Sequence, residues 1–147
     1  MDMNVYFKKI YTIAFRLTGD KNVANDLTTQ AILELSSKTD TNDKITDFIF
    51  KSTALEVCKL FLTKCDACYD EFHFDCNSKD KTYEIQKTLL MLKPVSRIII
   101  IWKDFLGFQL SDLTQIINKD RTELNYELSH ARMQIKHNMF RGSLLIK

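Results

Sequence analysis

The stretch Pro94-Val95-Ser96-Arg97-Ile98-Ile99-Ile100-Ile101-Trp102-Lys103-Asp104-Phe105-Leu106-Gly107 decides the fold class. Read as a buried strand, its four consecutive isoleucines would need a partner strand. Read as a helix, it places Pro94 in the first turn, where a missing N–H costs nothing, and puts Ile98, Ile101, Trp102 and Phe105 on one face before Gly107 ends it. The strand remains the competing reading of four isoleucines. Pro94 and the lack of a partner strand elsewhere favour the helix, and with it an all-α protein.

Downstream of Gly107, the spacing predicts a short helix over Leu110–Ile117, a turn at Asn118-Lys119-Asp120, and a long helix to about Met139. Asp120 followed by Glu123 is a capping-box arrangement, in which the Asp side chain takes an orphan N–H and the Glu reaches back. Leu124, Leu128, Ala131 and Ile135 step by four, three and four along the long helix. Helix, three-residue turn, helix is the geometry of a helix-turn-helix, whose second helix can enter a major groove. Upstream of Pro94 a helical period resumes near Thr82, with Ile85, Leu89 and Leu92.

The first 64 residues hold three more helices. Tyr6, Ile10, Ile13, Ala14 and Leu17 mark the first, which Thr18-Gly19-Asp20 stops. Asp20 or Asn22 caps the second, whose stripe is Val23, Leu27, Ala31 and Leu35. A polar loop over 36–43 precedes a third, from about Lys44 to Lys64, with Ile45, Phe48, Ile49, Ser52 and Leu55 on one side. None of the three could bury its stripe alone, so they are expected to pack as a small bundle.

Between these halves lies a different composition. The chain has 147 residues and a net charge of only +2, but residues 1–64 carry +1, 65–81 carry −3 and 82–147 carry +4. This divides the chain into two helical lobes, 1–64 and 82–147, joined by an acidic linker, 65–81. The linker holds Cys65, Cys68, His73 and Cys76, a Cys-x2-Cys bite with a downstream His and Cys that could complete tetrahedral zinc. A redox-sensitive thiol pair and a plain linker are the competing readings; apart from this zinc, no cofactor is expected. Three Gly and one Pro in the chain argue against a β-sandwich or barrel. The longest apolar run, Ile98 to Trp102, is far short of the about 20 residues that cross a bilayer. With no basic-then-apolar leader at residues 1–8, the chain is expected to be cytoplasmic, with no membrane partner.

Both ends carry motifs. Ala14-Phe15-Arg16-Leu17-Thr18-Gly19-Asp20 is followed by Ala24-Asn25-Asp26-Leu27 and Gln30; Leu92-Lys93-Pro94-Val95-Ser96-Arg97 runs through Gly107 to Ala131-Arg132. The first set resembles the A-x-R-x-T-G-D and A-x-D-L-x-x-Q segments of the extracytoplasmic-function sigma factors of bacterial RNA polymerase. The second resembles the L-P-P-x-x-R motif and helix-turn-helix of the same family's promoter-reading domain. The matches stand in family order and together cover most of the chain.

The resemblance implies roles. Arg16, Asp26, Leu27 and Gln30 match positions that meet core RNA polymerase, and Asp26, Gln30 and Glu34 also form a stripe beside the buried one. Lys51, Lys59 and Lys64 stand where the first lobe would meet promoter DNA, as phosphate contacts that position without specifying. Family Asn, Asp and Arg positions here are Leu55, Lys59 and Leu62-Thr63-Lys64. On the long helix, Arg121, Thr122, Asn125, Tyr126, Ser129, His130, Arg132 and Lys136 are the candidate DNA contacts. Asn125, Ser129 and Arg132 are expected to face away from Leu124, Leu128 and Ala131, with Asn125 able to read adenine. Two basic family positions have become Asn125 and Glu127, and His130 replaces an Arg.

No Gly-rich phosphate loop or nucleophile motif accompanies His73, His130 and His137, so no enzyme is expected. Two function classes follow. One is a sigma factor that takes core polymerase to promoter DNA, with an anti-sigma factor as a further partner. The other is a sigma-like protein-interaction module that has lost promoter recognition and melting.

Overall fold

The computed structural model describes residues 1–38, 44–68 and 81–145, and among them every regular element is helical. The chain divides into two compact units, Met1–Glu71 and Phe72–Lys147.

In the first unit, α1 (Met3–Thr18), α2 (Lys21–Lys38) and α3 (Asp47–Cys68) pack pairwise against one another. The stripe expected on α1 is the buried one: Tyr6, Ile10, Ile13, Ala14 and Leu17. Gly19 closes α1 at φ 68°, a left-handed conformation that a Cβ disfavours, and its N–H donates to the Phe15 carbonyl at 2.7 Å. Asp20, rather than Asn22, caps α2, accepting from the N–H groups of Asn22 and Val23 at 2.8 and 3.1 Å. On α2, Ala24, Leu27, Thr28 and Ala31 are buried, while Val23 and Leu35 are only half-buried at the edges of the stripe.

The third helix differs from its expected form on two counts. Its buried face is Thr53, Ala54, Val57, Cys58 and Phe61; Phe48 is 76% exposed, and Ile45, Ile49, Ser52 and Leu55 are half-buried. Two apolar stripes compete on this helix, and the one with small residues goes inward. Ala54 and Cys58 let α3 approach closely, and Thr53 shares a buried 2.5 Å hydrogen bond with the Tyr6 hydroxyl. The helix also runs through Cys68, four residues beyond Lys64, because Cys65-Asp66-Ala67-Cys68 contains no Gly or Pro to stop it.

In the second unit, α4 (Lys81–Leu90) leads through a turn to α5 (Pro94–Ile100), with Pro94 in its first turn. The four isoleucines are helical and all are buried; no strand occurs among the described residues. Arg97 is 2% exposed and accounts for its own burial: Nε donates to the Leu89 carbonyl at 3.0 Å, and Nη2 to those of Leu90 and Leu92 at 3.3 and 3.0 Å. Its guanidinium thus satisfies carbonyls orphaned where α4 ends.

A π-turn over Ile101–Phe105 follows α5, with the Leu106 N–H donating five residues back to the Ile101 carbonyl at 3.0 Å. The wider turn rotates later side chains relative to an α-helix, so Phe105 leaves the expected face and is 47% exposed. Trp102 stays fully buried, its indole N–H donating to the Gln109 carbonyl at 2.9 Å and its ring 4.8 Å from that of Phe108. Gly107 reverses the chain at φ 73°; no atom crowds a Cβ there, so the dihedral alone selects glycine.

The segment expected as one short helix is a 3₁₀ turn, Leu110–Leu113, continuing into α6 (Thr114–Ile117). Asn118 ends α6 at φ 58°, a conformation Asn tolerates better than most side chains. Asp120 then caps α7 (Arg121–Leu145), accepting from the Glu123 N–H at 2.8 Å. α7 passes its expected end near Met139; Leu124, Leu128 and Ala131 point into the core against α5.

Candidate polymerase-facing and nucleic-acid-facing surfaces

The residues expected to face polymerase fall into two parts. Asp26 and Gln30 are exposed on α2, whereas Leu27 is fully buried between them. About 100° per residue sets Leu27 inward, as its place in the expected stripe implies, where it packs the bundle and holds its neighbours outward. Arg16 is half-buried near the end of α1. The sequence pattern passed over Leu33, which is 63% exposed and shares the sector of Asp26 and Gln30 on the helical wheel. A lone leucine outside the buried stripe was its only signal. Glu34, expected in the same stripe, forms a 3.3 Å exposed ion pair with Lys38.

On α3, Lys59 is exposed, and Lys51 and Lys64 are half-buried. The ring of Phe50 on the same helix lies 5.9 Å from the Lys9 ammonium. The candidate zinc set lies outside the described residues, save that the backbone of Cys65 and Cys68 belongs to α3. Among the described residues no group of three or more His, Cys, Asp or Glu is placed to hold a metal, and no helix is long and apolar enough to cross a membrane.

The outward surface of α7 is asymmetric. Thr122, Tyr126, Ser129 and His130 are exposed, Tyr126 by 72%, and lie roughly opposite Leu124, Leu128 and Ala131. Arg121, Asn125, Arg132 and Lys136, also exposed, fall on one shoulder of the helix, and Glu123 and Glu127 on the other. Asn125 and Arg132 therefore do not stand opposite the core as expected.

Being on the shoulder, Arg132 reaches the π-turn. Its Nε donates to Asp104 Oδ2 at 2.9 Å and its Nη2 to Asp104 Oδ1, a two-pronged pair that raises the guanidinium's pKa above its ordinary value. On the acidic shoulder, Glu127 accepts from Lys119 Nζ at 2.9 Å, and this hydrogen bond raises the Lys119 pKa. Two of the cations around the helix are thus met by carboxylates of the same unit. Spacing along the chain could not reveal either pair, since Asp104 lies 28 residues from Arg132 and the other pair spans the turn. Lys136 lines an open, mostly apolar groove of about 540 Å³ with Ile100, Phe105, Ile135 and Met139, next to the Asp104–Arg132 pair.

No protein-family model and no curated protein matches the sequence. Among solved structures, the chain is similar to the sigma factor RpoE, determined in complex with the anti-sigma factor NepR from Bartonella quintana. The TM-score is 0.64 at 16% identity, covering 93% of each chain. At that identity the likeness establishes a shared fold, that of a sigma factor.

Proposed function

We propose that this chain is a sigma-like transcription initiation protein. It binds core RNA polymerase through the outward face of α2 and carries the helix-turn-helix of its second unit to promoter DNA. The observation that carries this reading is the division within the α2 motif: Ala24, Leu27 and Ala31 are fully buried, while Asp26, Gln30 and Leu33 are held outward. A polar pair beside an exposed leucine on a rigid helix is the composition of a protein-docking face. The capped turn at Asn118–Asp120 and the exposed Arg121, Asn125, Tyr126 and Lys136 support the DNA-reading half. The sigma-factor fold supports the whole, and with it an anti-sigma factor as a further partner, a cytoplasmic location and no enzymatic activity.

The Arg132–Asp104 and Lys119–Glu127 pairs favour a second reading, a polymerase- or partner-binding module without promoter recognition, because each holds a cation that would otherwise meet phosphate.

Pull-down of core polymerase followed by run-off transcription on genomic DNA tests both. The first reading expects binding and transcripts, both lost in Asp26→Arg/Gln30→Ala at unchanged helix content. Binding without transcripts selects the second reading. Unaltered binding by the double variant removes α2 from the contact.

A further inference from the structure

His130, Met133 and His137 follow one another at spacings of three and four residues on α7, and all three are exposed, Met133 by 70%. At about 100° per residue they fall within a sector of about 60°, on the side away from Leu124, Leu128 and Ala131. Neighbours at these spacings hold their Cβ atoms about 5–6 Å apart, so the Met133 thioether has an imidazole within reach on either side. None of the three side chains makes a hydrogen bond or ion pair with a described residue. Met133, standing in solvent, fills no gap in the core, which is where a methionine ordinarily serves.

Neutral imidazole and thioether both offer a lone pair without bringing charge. A thioether is a soft donor that selects ions such as copper(I), and imidazole binds the same ions. Hard cations take carboxylate and carbonyl oxygens, and residues 129–137 contain no Asp or Glu. Arg132 and Lys136 in the same stretch raise the cost of a second positive charge on a bound ion, which favours a monovalent one. His130 and His137 stand about 10.5 Å apart along the axis, so two imidazoles alone make a poor chelate, and Met133 between them is what joins the set. We propose that His130, Met133 and His137 hold one soft monovalent metal ion, of the copper(I) class, on the outward face of α7. The thioether and one imidazole give such an ion a ligand pair, and the second imidazole adds a third. This inference requires neither the α2 contact with polymerase nor DNA reading by α7.

Silver(I), with the charge and softness of copper(I), is the probe, in chloride-free buffer. It is added to the full chain carrying Cys65→Ser/Cys68→Ser/Cys76→Ser, so that these thiols do not take the ion; Cys58 is buried and stays. In NMR spectra the Met133 methyl and the ring protons of His130 and His137 should shift together and saturate at about one ion per chain. Met133→Leu should weaken binding by about tenfold or more, as should His130→Gln/His137→Gln, all at exposed positions that leave the fold intact. Zinc(II) at the same concentration should leave the Met133 methyl unmoved. No shift at Met133, a shift that zinc(II) reproduces, or unweakened binding by Met133→Leu overturns the proposal. Shifts confined to the methyls of other methionines overturn it equally.

Discussion

The outward faces of α3 and α7 stand at the two places where the sigma-factor resemblance puts DNA contacts, and they differ in chemistry. On α3 small and apolar residues form the inward face, and Phe48, Leu55 and Leu62 stand in line on another side, partly in solvent. On α7 the outward face is mostly polar, with Tyr126 and Met133 exposed among its polar residues, and carboxylates of the same unit hold Arg132 and the nearby Lys119. The inner positions of both helices answer to packing, which tolerates little change in volume. The outer positions answer only to whatever partner the surface meets, so they can change chemistry without cost to the fold.

The largest effects should separate inner from outer residues on both helices. Phe61→Ala on α3 and Leu124→Ala on α7, each at a fully buried site, should cost about 2–5 kcal/mol in urea unfolding. Phe48→Ala and Tyr126→Ala, at strongly exposed sites, should stay within about 0.5 kcal/mol. Equal losses at the outer and inner positions would make the outer faces part of the core and erase the contrast.

A smaller effect probes the inner face of α3 through its thiol. Full burial pushes the Cys58 pKa up to about 12 from an ordinary 9.0, so the folded protein retains a proton that the unfolded chain releases. Stability from this site is complete below pH 9 and falls as pH rises toward 12, by roughly 1 kcal/mol per pH unit. Denaturant titrations between pH 8 and 11 should show a shallower alkaline decline in Cys58→Ala than in the parent chain. Identical slopes would mean that the thiol is accessible to solvent.

The smallest effect sharpens the α7 side. Asp104→Asn with Glu127→Gln removes the carboxylates facing Arg132 and Lys119, both pairs being partly solvent-exposed. Stability should change by less than about 1 kcal/mol. The salt dependence of duplex binding should steepen by up to about two phosphate contacts. No gain in DNA affinity would leave this part of α7 to protein contacts.

How far the sequence could be read varies from residue to residue. The α1 stripe, the Gly19 stop and the Pro94 start were legible because each depends on neighbours within a turn or two of helix, whereas the α2 cap was narrowed only to Asp20 or Asn22. The inward face of α3 was not, since its two apolar stripes have similar periodicity, and the choice rests on Thr53 and the small Ala54 and Cys58 fitting against other helices. Phe105 was misplaced for a different reason: the π-turn breaks the 100° step on which any helical wheel depends. In the candidate site, Asp26 and Gln30 were legible as outward residues. So was the burial of Leu27, as part of the second helix's stripe; the exposure of Leu33 and the partners of Arg132 and Lys119 were not.

By itself the sequence determined an all-helical chain, the positions of most helix starts and stops, and the order of two motif-bearing halves. Those are matters of local dihedral preference, capping and periodicity, which act over a few residues. Only the tertiary structure decided which stripe of α3 turned inward and that Arg97 would close the end of α4. It also decided that Asp104 would hold a basic residue of α7. Each of these depends on volume and charge brought together from distant parts of a unit, and pairings of that kind leave no mark in the spacing along the chain.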